Sequence, residues 1–229
     1  ISLVSFNKIL KPNAMRVLLL FCSVLLISSC KENPKNQKTP IPQSQDAGSE
    51  TPEPISSPQT LTNIEDIKKE YSRLTQLLKT KDLDSTSFTY NCNGEKSGTV
   101  VFFSDTTGLK VIRHAHNEYS HFEAADLYYL RDEVPFFVFS TNTTWSFSGG
   151  TADAPQTTDN VVENRFYLLN GEPVDCLRKQ YSIKSDEANP VNPNTITNQK
   201  TDCKAIEDYL ETYKLLLKHR ETTSEITCL

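Results

Sequence analysis

From residue 63 onward, the apolar positions of the chain repeat at the spacing of an amphipathic helix. Isoleucine, tyrosine and leucine recur every three or four residues, with charged residues between them, which predicts a helix with one apolar face. Asn63, with Asp66 three residues later, is typical of a helix N-terminus. The residues of the apolar stripe are Ile64, Ile67, Tyr71, Leu74 and Leu78.

Between residues 86 and 184 the pattern changes to the two-residue alternation of β-strands. Asn93-Gly94 and Asn170-Gly171 are strong hairpin signals, because both turn positions tolerate positive φ. No helical stretch separates the strands, so neighbours are expected to pair antiparallel. Polar loops are predicted at 149–160 and 185–201. The predicted strands are 88–92, 99–104, 109–116, 120–130, 134–142, 161–169 and 173–183, with a short additional strand at Trp145 and Phe147.

A second amphipathic helix is predicted from about residue 203 to 219, with Asp202 as its N-cap. Its apolar face comprises Ile206, Tyr209, Leu210, Tyr213, Leu216 and Leu217. Both helices need an apolar surface on which to bury their stripes, and one face of the sheet is expected to provide it. The sequence therefore predicts a single α+β domain over residues 61–229, an antiparallel β-meander of about six to eight strands flanked by an N-terminal and a C-terminal amphipathic helix.

A short apolar run over residues 17–27 ends in Ile27-Ser28-Ser29-Cys30 and follows Met15 and Arg16. The run has the length of the apolar part of a signal peptide and is too short for a transmembrane helix. Its end matches the bacterial lipobox. We therefore expect residues 1–29 to be upstream residues and a signal peptide starting at Met15. Cys30 would carry a lipid that holds an outer-membrane lipoprotein in the bacterial envelope, on its periplasmic or surface face. An ordinary secretory signal with an incidental cysteine is the alternative.

Residues 30–60 are expected to be a disordered tether behind that cysteine. Six of the twelve prolines lie in this stretch among polar residues, and only Ile41 and Ile55 are sizeable aliphatic side chains. Such a composition cannot bury enough apolar surface to offset the entropy of ordering the chain.

The chain is acidic, with a formal net charge of −5 at pH 7. Lys8, Lys11 and Arg16 precede Cys30 and no acidic residue does, so the part after Cys30 is more acidic still. This charge argues against nucleic acid, whose phosphates need clustered Lys and Arg. Membrane contact is thus assigned to the lipid on Cys30. A protein partner, if charge selects it, would be basic; otherwise the acidity serves solubility alone.

Four cysteines remain after Cys22 and Cys30 are assigned to the signal peptide and the lipid. An even number in an exported chain predicts two disulfides, with three possible connectivities. Cys203 opens the second helix and Cys228 lies beyond its far end, so a bridge between them would have to run back along the whole helix. Cys176–Cys203 with Cys92–Cys228 is therefore the favoured pairing, and the other pairings stay open.

The segment from Arg113 to Glu123 contains the main candidates for chemistry. His114 and His116 would share one face of a strand and could share a metal ion. A third ligand would have to come from His121 or Glu123 across a turn. The alternative is a polar strand face that binds nothing.

Other features argue against catalysis. The sequence contains no G-x-S-x-G, Gly-rich phosphate or H-E-x-x-H motif. Asp126, Asp132 and Glu133 are interpreted as solvated residues near strand ends. Consecutive aromatics, Tyr128-Tyr129 and Phe136-Phe137, should place one ring on each face of the sheet. We therefore predict a binding or structural domain that is not an enzyme and needs no cofactor.

Two stretches of alternating aromatic and polar residues resemble uncharacterised lipoproteins of Bacteroidetes-type bacteria. They are Tyr128-Tyr-Leu-Arg-Asp-Glu-Val-Pro-Phe-Phe-Val-Phe139 and Glu163-Asn-Arg-Phe-Tyr-Leu-Leu-Asn-Gly-Glu-Pro-Val174. The resemblance covers residues 62–184 and implies a tethered antiparallel meander. It implies no particular function.

The first hairpin, with Phe88-Thr-Tyr90-Asn-Cys92 followed by Thr99-Val-Val-Phe102, resembles that of the C-type lysozyme inhibitors. Those are envelope lipoproteins in which a Y-x-C strand is disulfide-bonded to a cysteine near the C-terminus, as Cys92 and Cys228 would be. This resemblance implies a basic protein partner, lysozyme. Ser146-Phe-Ser148-Gly149-Gly150 matches only the first half of the inhibitors' S-x-S-G-x-x-Y loop.

Overall fold

The computed structural model describes residues 60–229. The expected signal peptide, the lipidation site at Cys30 and nearly all of the tether lie outside these residues. Helix α1 spans Ile64–Thr80 and helix α2 spans Ile206–Lys218, with a single 3₁₀ turn at Pro193–Thr195. The strands are β1 Asp84–Cys92, β2 Lys96–Asp105, β3 Gly108–Glu118, β4 Phe122–Arg131, β5 Val134–Thr151, β6 Ala154–Leu169, β7 Glu172–Lys184 and β8 Gln199–Lys200.

The strands form one antiparallel sheet in sequence order, β1 to β8. The predicted α+β meander is thus confirmed, and every predicted strand overlaps an observed one. The two Asn-Gly turns have positive φ at both positions, 53° and 82° at Asn93-Gly94 and 53° and 85° at Asn170-Gly171. These values are those of the hairpin turn that matches the twist of the flanking strands.

The two helices lie on opposite faces of the sheet, so the expectation that one face receives both is wrong. Ile67 and Leu74 of α1 pack with Tyr129 and Tyr167. Residues of α2 pack with Tyr128, Phe166 and their neighbours on the other face. Because consecutive side chains of a strand point to opposite faces, the adjacent aromatics make both faces apolar, and each face needs its own cover.

Phe136 and Phe137 depart from the expected alternation. Both belong to the cluster under α1, whereas Tyr128 and Tyr129 divide between the two faces as expected. The pairing of β4 with β5 shifts between Tyr129 and Leu130, so Phe136 has no partner in the register. Such a β-bulge rotates the strand locally and brings two successive side chains to one face.

The polar loop predicted at 149–160 is wrong. β5 continues to Thr151 and β6 begins at Ala154, and the two strands form one long hairpin. Trp145 and Phe147 lie within β5 and pair with Asp159 and Thr157. Polar residues can form this two-stranded hairpin because the backbone hydrogen bonds between its strands do not need an apolar face. The loop predicted at 185–201 is largely irregular and contains the 3₁₀ turn and β8.

The predicted N-cap is confirmed for α1 and is wrong for α2. The Asn63 side chain accepts hydrogen bonds from the backbone N–H groups of Glu65 and Asp66, as predicted. Asp202 instead accepts from the N–H of Lys204, and α2 begins later, after Ala205, without a side-chain cap. Its 13 residues make it shorter than predicted. No described helix has both the length and the apolar character needed to cross a membrane.

Two disulfides join the sheet to the segments around α2, in the pairing favoured by the sequence. Cys92 is bonded to Cys228 and Cys176 to Cys203, with Cα–Cα distances of 4.8 and 5.5 Å. The first bridge lies beside a parallel bridge between Tyr90 and Ile226, so the segment after α2 adds to the edge of β1. The second holds the residues that precede α2 against β7.

Removing either disulfide should destabilise the domain, and Cys92–Cys228 should matter more. Its two cysteines are 136 residues apart, against 27 for Cys176–Cys203. Each bridge is expected to contribute ~2–5 kcal/mol to the free energy of unfolding. Because the larger loop restricts the unfolded chain more, Cys92–Cys228 should contribute about 1 kcal/mol more than Cys176–Cys203 if the effect is entropic. Denaturant unfolding of the two double-serine variants measures this difference. A larger loss for the Cys176/Cys203 variant would contradict it.

Candidate functional site

A group of buried polar side chains interrupts the apolar surface between α2 and the sheet. His114 on β3 and Asp126 on β4 are only 2% and 5% exposed. His116, also on β3, is partly buried beside them. Among the described residues, only these three His, Cys, Asp or Glu side chains bring ligand atoms close enough to hold one metal ion, all within 4.8 Å of one another.

Strand periodicity and register bring the three side chains together. His114 and His116 are two residues apart on β3 and therefore share a face; their rings stack with centroids 4.5 Å apart. His114 pairs directly with Asp126 across the β3–β4 register. Oδ2 of Asp126 lies 3.9 Å from Nδ1 of His114 and 3.8 Å from Nε2 of His116.

Tyr90 reaches the site from β1 because a glycine of the intervening strand, β2, lies beneath the tyrosine ring. Tyr90 pairs with Gly98 of β2, and a Cβ at Gly98 would lie 2.7 Å from atoms of the tyrosine ring. The ring therefore crosses β2 in space that any side chain would fill. Its hydroxyl lies 2.9 Å from Nε2 of His114 on β3.

The charge state of His114 suits a metal ligand. Burial lowers the pKa of His114 to about 4, with a smaller contribution in the same direction from the charge of His116. The imidazole is thus neutral at neutral pH and carries one ring proton. If that proton is on Nε2, it is donated to the Tyr90 oxygen and Nδ1 keeps a free lone pair. Metal-bound histidines in proteins are held in this manner through their second nitrogen.

Several polar atoms of the site are buried without a hydrogen-bond partner among the described residues. They are Nδ1 of His114, Nδ1 of His116, Oδ1 of Asp126 and the hydroxyl oxygen of the adjacent Tyr128. Each buried, unsatisfied polar group costs about 1–3 kcal/mol. Native proteins have few such groups, and four of them belong to this one group of neighbouring residues.

A cavity of about 290 Å³ adjoins the three side chains. His114, His116 and Asp126 form part of its wall on the sheet side, and Asp208, Tyr209 and Thr212 of α2 line the opposite side. Tyr209 donates a hydrogen bond to Ser140, which pairs with Asp126 across β4 and β5. The site is thus formed by two central strands, with α2 as its cover.

The structure brings two of the three candidate histidines together and places the third elsewhere. His121 is exposed, its Nδ1 lies 3.1 Å from the backbone oxygen of Trp145, and its ring lies against that indole. Including His121 in the site was therefore wrong. Glu123 is exposed on the opposite face and lines a separate groove.

Asp126 is the residue that the sequence interpretation missed. It is not a solvated residue near a strand end but one of the most buried carboxylates. The signal that could have identified it was its even spacing from Tyr128, which places both on the face under α2. The same reasoning could have identified Gly98 between Tyr90 and His116 in the register of β1, β2 and β3.

A second, open surface lies on the other face of the sheet. It is a groove of about 740 Å³. Small side chains form its floor, including Ala115, Ala125 and Thr141, and Arg113 and Glu123 also line it. Of the four buried polar atoms without a partner, only Nδ1 of His116 belongs to a residue that also lines this groove, so the groove gives less indication of a ligand than the His114 site does.

Comparison of the chain with protein-family models, curated proteins and solved structures finds no match. The two family resemblances noted in the sequence remain predictions. The functional interpretation therefore rests on the geometry of the described residues.

Replacing Gly98 by alanine should displace the Tyr90 ring and disrupt its hydrogen bond to His114. Overpacking of this kind costs about 1–3 kcal/mol of stability. Denaturant unfolding should show this loss for Gly98→Ala and little change for the matched control Thr99→Ala, whose side chain is exposed on the next residue. A Gly98→Ala protein as stable as wild type would show that the tyrosine does not need the space above Gly98.

Proposed function

We propose that this protein is a lipid-anchored bacterial envelope protein whose domain binds a divalent transition-metal ion between His114, His116 and Asp126. One observation carries the proposal: two imidazoles and a carboxylate converge in one buried site with a ligand atom of each within 4.8 Å of the others, and Nδ1 of His114 has no hydrogen-bond partner among the described residues. A metal ion is a Lewis acid that accepts such lone pairs. The role proposed is binding, not catalysis.

The donor set fits a metal of the zinc type. Zinc is bound by His nitrogen at about 2.0–2.1 Å and by carboxylate oxygen at about 2.0–2.2 Å, which places tetrahedral ligand atoms about 3.3 Å apart. The carboxylate oxygen lies 3.8 and 3.9 Å from the two imidazole nitrogens. The three ligand atoms are separated by up to 4.8 Å, so side-chain rotations would have to bring them closer by about 0.5 to 1.5 Å to reach the tetrahedral spacing.

The same donor set disfavours calcium and magnesium. These hard cations take six or more oxygen ligands, or keep several waters around one or two carboxylates. Imidazole nitrogens suit zinc, copper, nickel and cobalt instead. The proposed ligand is thus a borderline transition metal, and hard cations serve as negative controls.

An extracytoplasmic location is supported by the covalent chemistry of the domain. Disulfides persist in oxidising compartments such as the bacterial periplasm, and this domain has two. The lipobox ending at Cys30 supports attachment of the same chain to the membrane. We therefore propose that the metal site is held in the envelope, tethered by residues 30–60.

The lysozyme-inhibitor interpretation has one observation in its favour and one against it. The Cys92–Cys228 bridge agrees with the disulfide that this resemblance implies. Ser146, Ser148 and Gly149, however, lie within strand β5 and not in a loop. A basic protein partner therefore stays the second candidate, with less support than the metal site.

Zinc should stabilise the purified, tag-free full-length protein against heat. A ligand at 100 times its dissociation constant adds about 2.7 kcal/mol to the free energy of unfolding, a rise in Tm of about 5–10 °C for a domain of this size. Isothermal titration should give a stoichiometry near one. Asp126→Asn, which keeps the shape and removes the charge, should weaken zinc binding at least about ten-fold.

His121→Gln is the matched control for the zinc experiment, since it removes a histidine outside the site and should leave zinc binding unchanged. Calcium and magnesium should not raise the Tm. Equal zinc affinity in wild type and Asp126→Asn, or loss of binding only in His121→Gln, would contradict the proposal. Thermal unfolding of each variant without metal shows separately whether it is folded.

Attachment through Cys30 is tested by metabolic labelling with an acyl-chain probe in a bacterial host. The wild-type chain should be labelled and recovered with membranes, because the lipobox cysteine takes the acyl chains. Cys30→Ala should be unlabelled, while the matched variant Cys22→Ala should remain labelled. Persistent labelling of Cys30→Ala would contradict the lipid anchor and leave the metal site to be judged separately.

A further inference from the structure

We infer that a metal ion held by His114, His116 and Asp126 keeps an exchangeable coordination position that takes a small anionic ligand from the cavity under α2. This inference rests on the proposed metal site and adds the class of molecule that the loaded site would bind. Three observations support it: the number of protein ligands, the position of the cavity and the charges around it.

The protein supplies three ligands to the site. Among the described residues, no fourth His, Cys, Asp or Glu side chain joins the group. Structural zinc sites are closed by four protein ligands, whereas three protein ligands leave a position for water or another small donor. A tetrahedral ion at this site would thus need one ligand from outside the group.

The cavity lies where such a donor would enter. Its wall contains all three ligand residues, so a molecule inside it can reach an ion that they hold. Its volume of about 290 Å³ corresponds to about ten water molecules at ~30 Å³ each. That space admits an azide, an acetate or a similarly small molecule. Phe122, Leu215 and Leu229 form an apolar part of the wall, which limits how many waters can solvate the bound molecule.

The local charge favours an anion. A divalent ion with two neutral imidazoles and one carboxylate keeps a net positive charge. Lys96 also lines the cavity, and its ammonium group adds a positive charge to the wall. At the edge of the protein, where the effective dielectric constant is below that of water, these charges attract an anion more strongly than they would in bulk water.

Asp208 is a negative charge that opposes anion binding, so variants of Lys96 and Asp208 should change the anion affinity in opposite directions. It lies on α2 and lines the same cavity. Removing its carboxylate should strengthen anion binding, and removing the Lys96 ammonium should weaken it. A change of about five-fold each way corresponds to Coulomb interactions across several ångströms at an intermediate dielectric constant.

Cobalt is the probe for the experiment, because its visible absorption depends on its ligands. The purified, tag-free full-length protein is loaded with Co²⁺ and titrated with sodium azide and, separately, with sodium acetate. We expect a saturable change in the visible spectrum. The azide affinity should rise about five-fold in Asp208→Asn and fall about five-fold in Lys96→Gln.

Charge-matched variants elsewhere on α2 are the controls. Glu207→Gln and Lys218→Gln remove single charges that do not line the cavity and should leave the azide affinity unchanged. If Co²⁺ itself does not bind, both the proposed function and this inference fail. If Co²⁺ binds but neither anion changes its spectrum, the coordination shell is closed and only the inference is overturned. Equal azide affinities in all four variants would also overturn it, because the anion would then bind away from the cavity.

Discussion

Both faces of the sheet are apolar along its central strands, and the layered architecture depends on this one constraint. A strand alternates its side chains between faces, and pairs such as Tyr128-Tyr129 and Phe166-Tyr167 place an aromatic ring on each. One helix cannot cover two faces. The chain provides α1 before the sheet and α2 after it, one for each cluster, and the two disulfides attach the segments around α2 to the sheet.

The candidate site is a consequence of that second cover. Without α2, the polar face formed by His114, His116 and Asp126 would be open to water and would bind solvent. With α2 in place, the same side chains are buried or partly buried beside a small cavity, and Nδ1 of both histidines and Oδ1 of Asp126 have no hydrogen-bond partner among the described residues. A helix that stabilises the apolar cluster therefore also covers this polar group at the edge of that cluster.

The sequence predicted what local patterns determine and missed what depends on long-range register. Two-residue alternation, Asn-Gly turns and the Asn63 cap act over a few residues, so the strands, hairpins and α1 could be predicted. The expectation that Phe136 and Phe137 lie on opposite faces is wrong, because the β-bulge beside Phe136 depends on how β4 pairs with β5. Asp126 was missed, and His121 wrongly included, because the residue opposite His114 is fixed by the β3–β4 turn, where Tyr119 has a φ of 53°. Periodicity could place Asp126 on the face under α2, but it could not tell that Asp126 lies opposite His114.

An ion pair between a protonated histidine and Asp126 is another way to explain why these polar groups are buried together. The geometry argues against this explanation. An ion pair that offsets the desolvation of two buried charges needs close contact and good hydrogen bonds. The distances from the carboxylate to the imidazoles are 3.8 and 3.9 Å, too long for a hydrogen bond. The pKa of His114, lowered by burial to about 4, keeps that ring neutral. A neutral imidazole offers one N–H and one lone pair; if its N–H is donated to the Tyr90 oxygen, only the Nδ1 lone pair remains for the side of the carboxylate, which is the arrangement that the proposed metal ion would use.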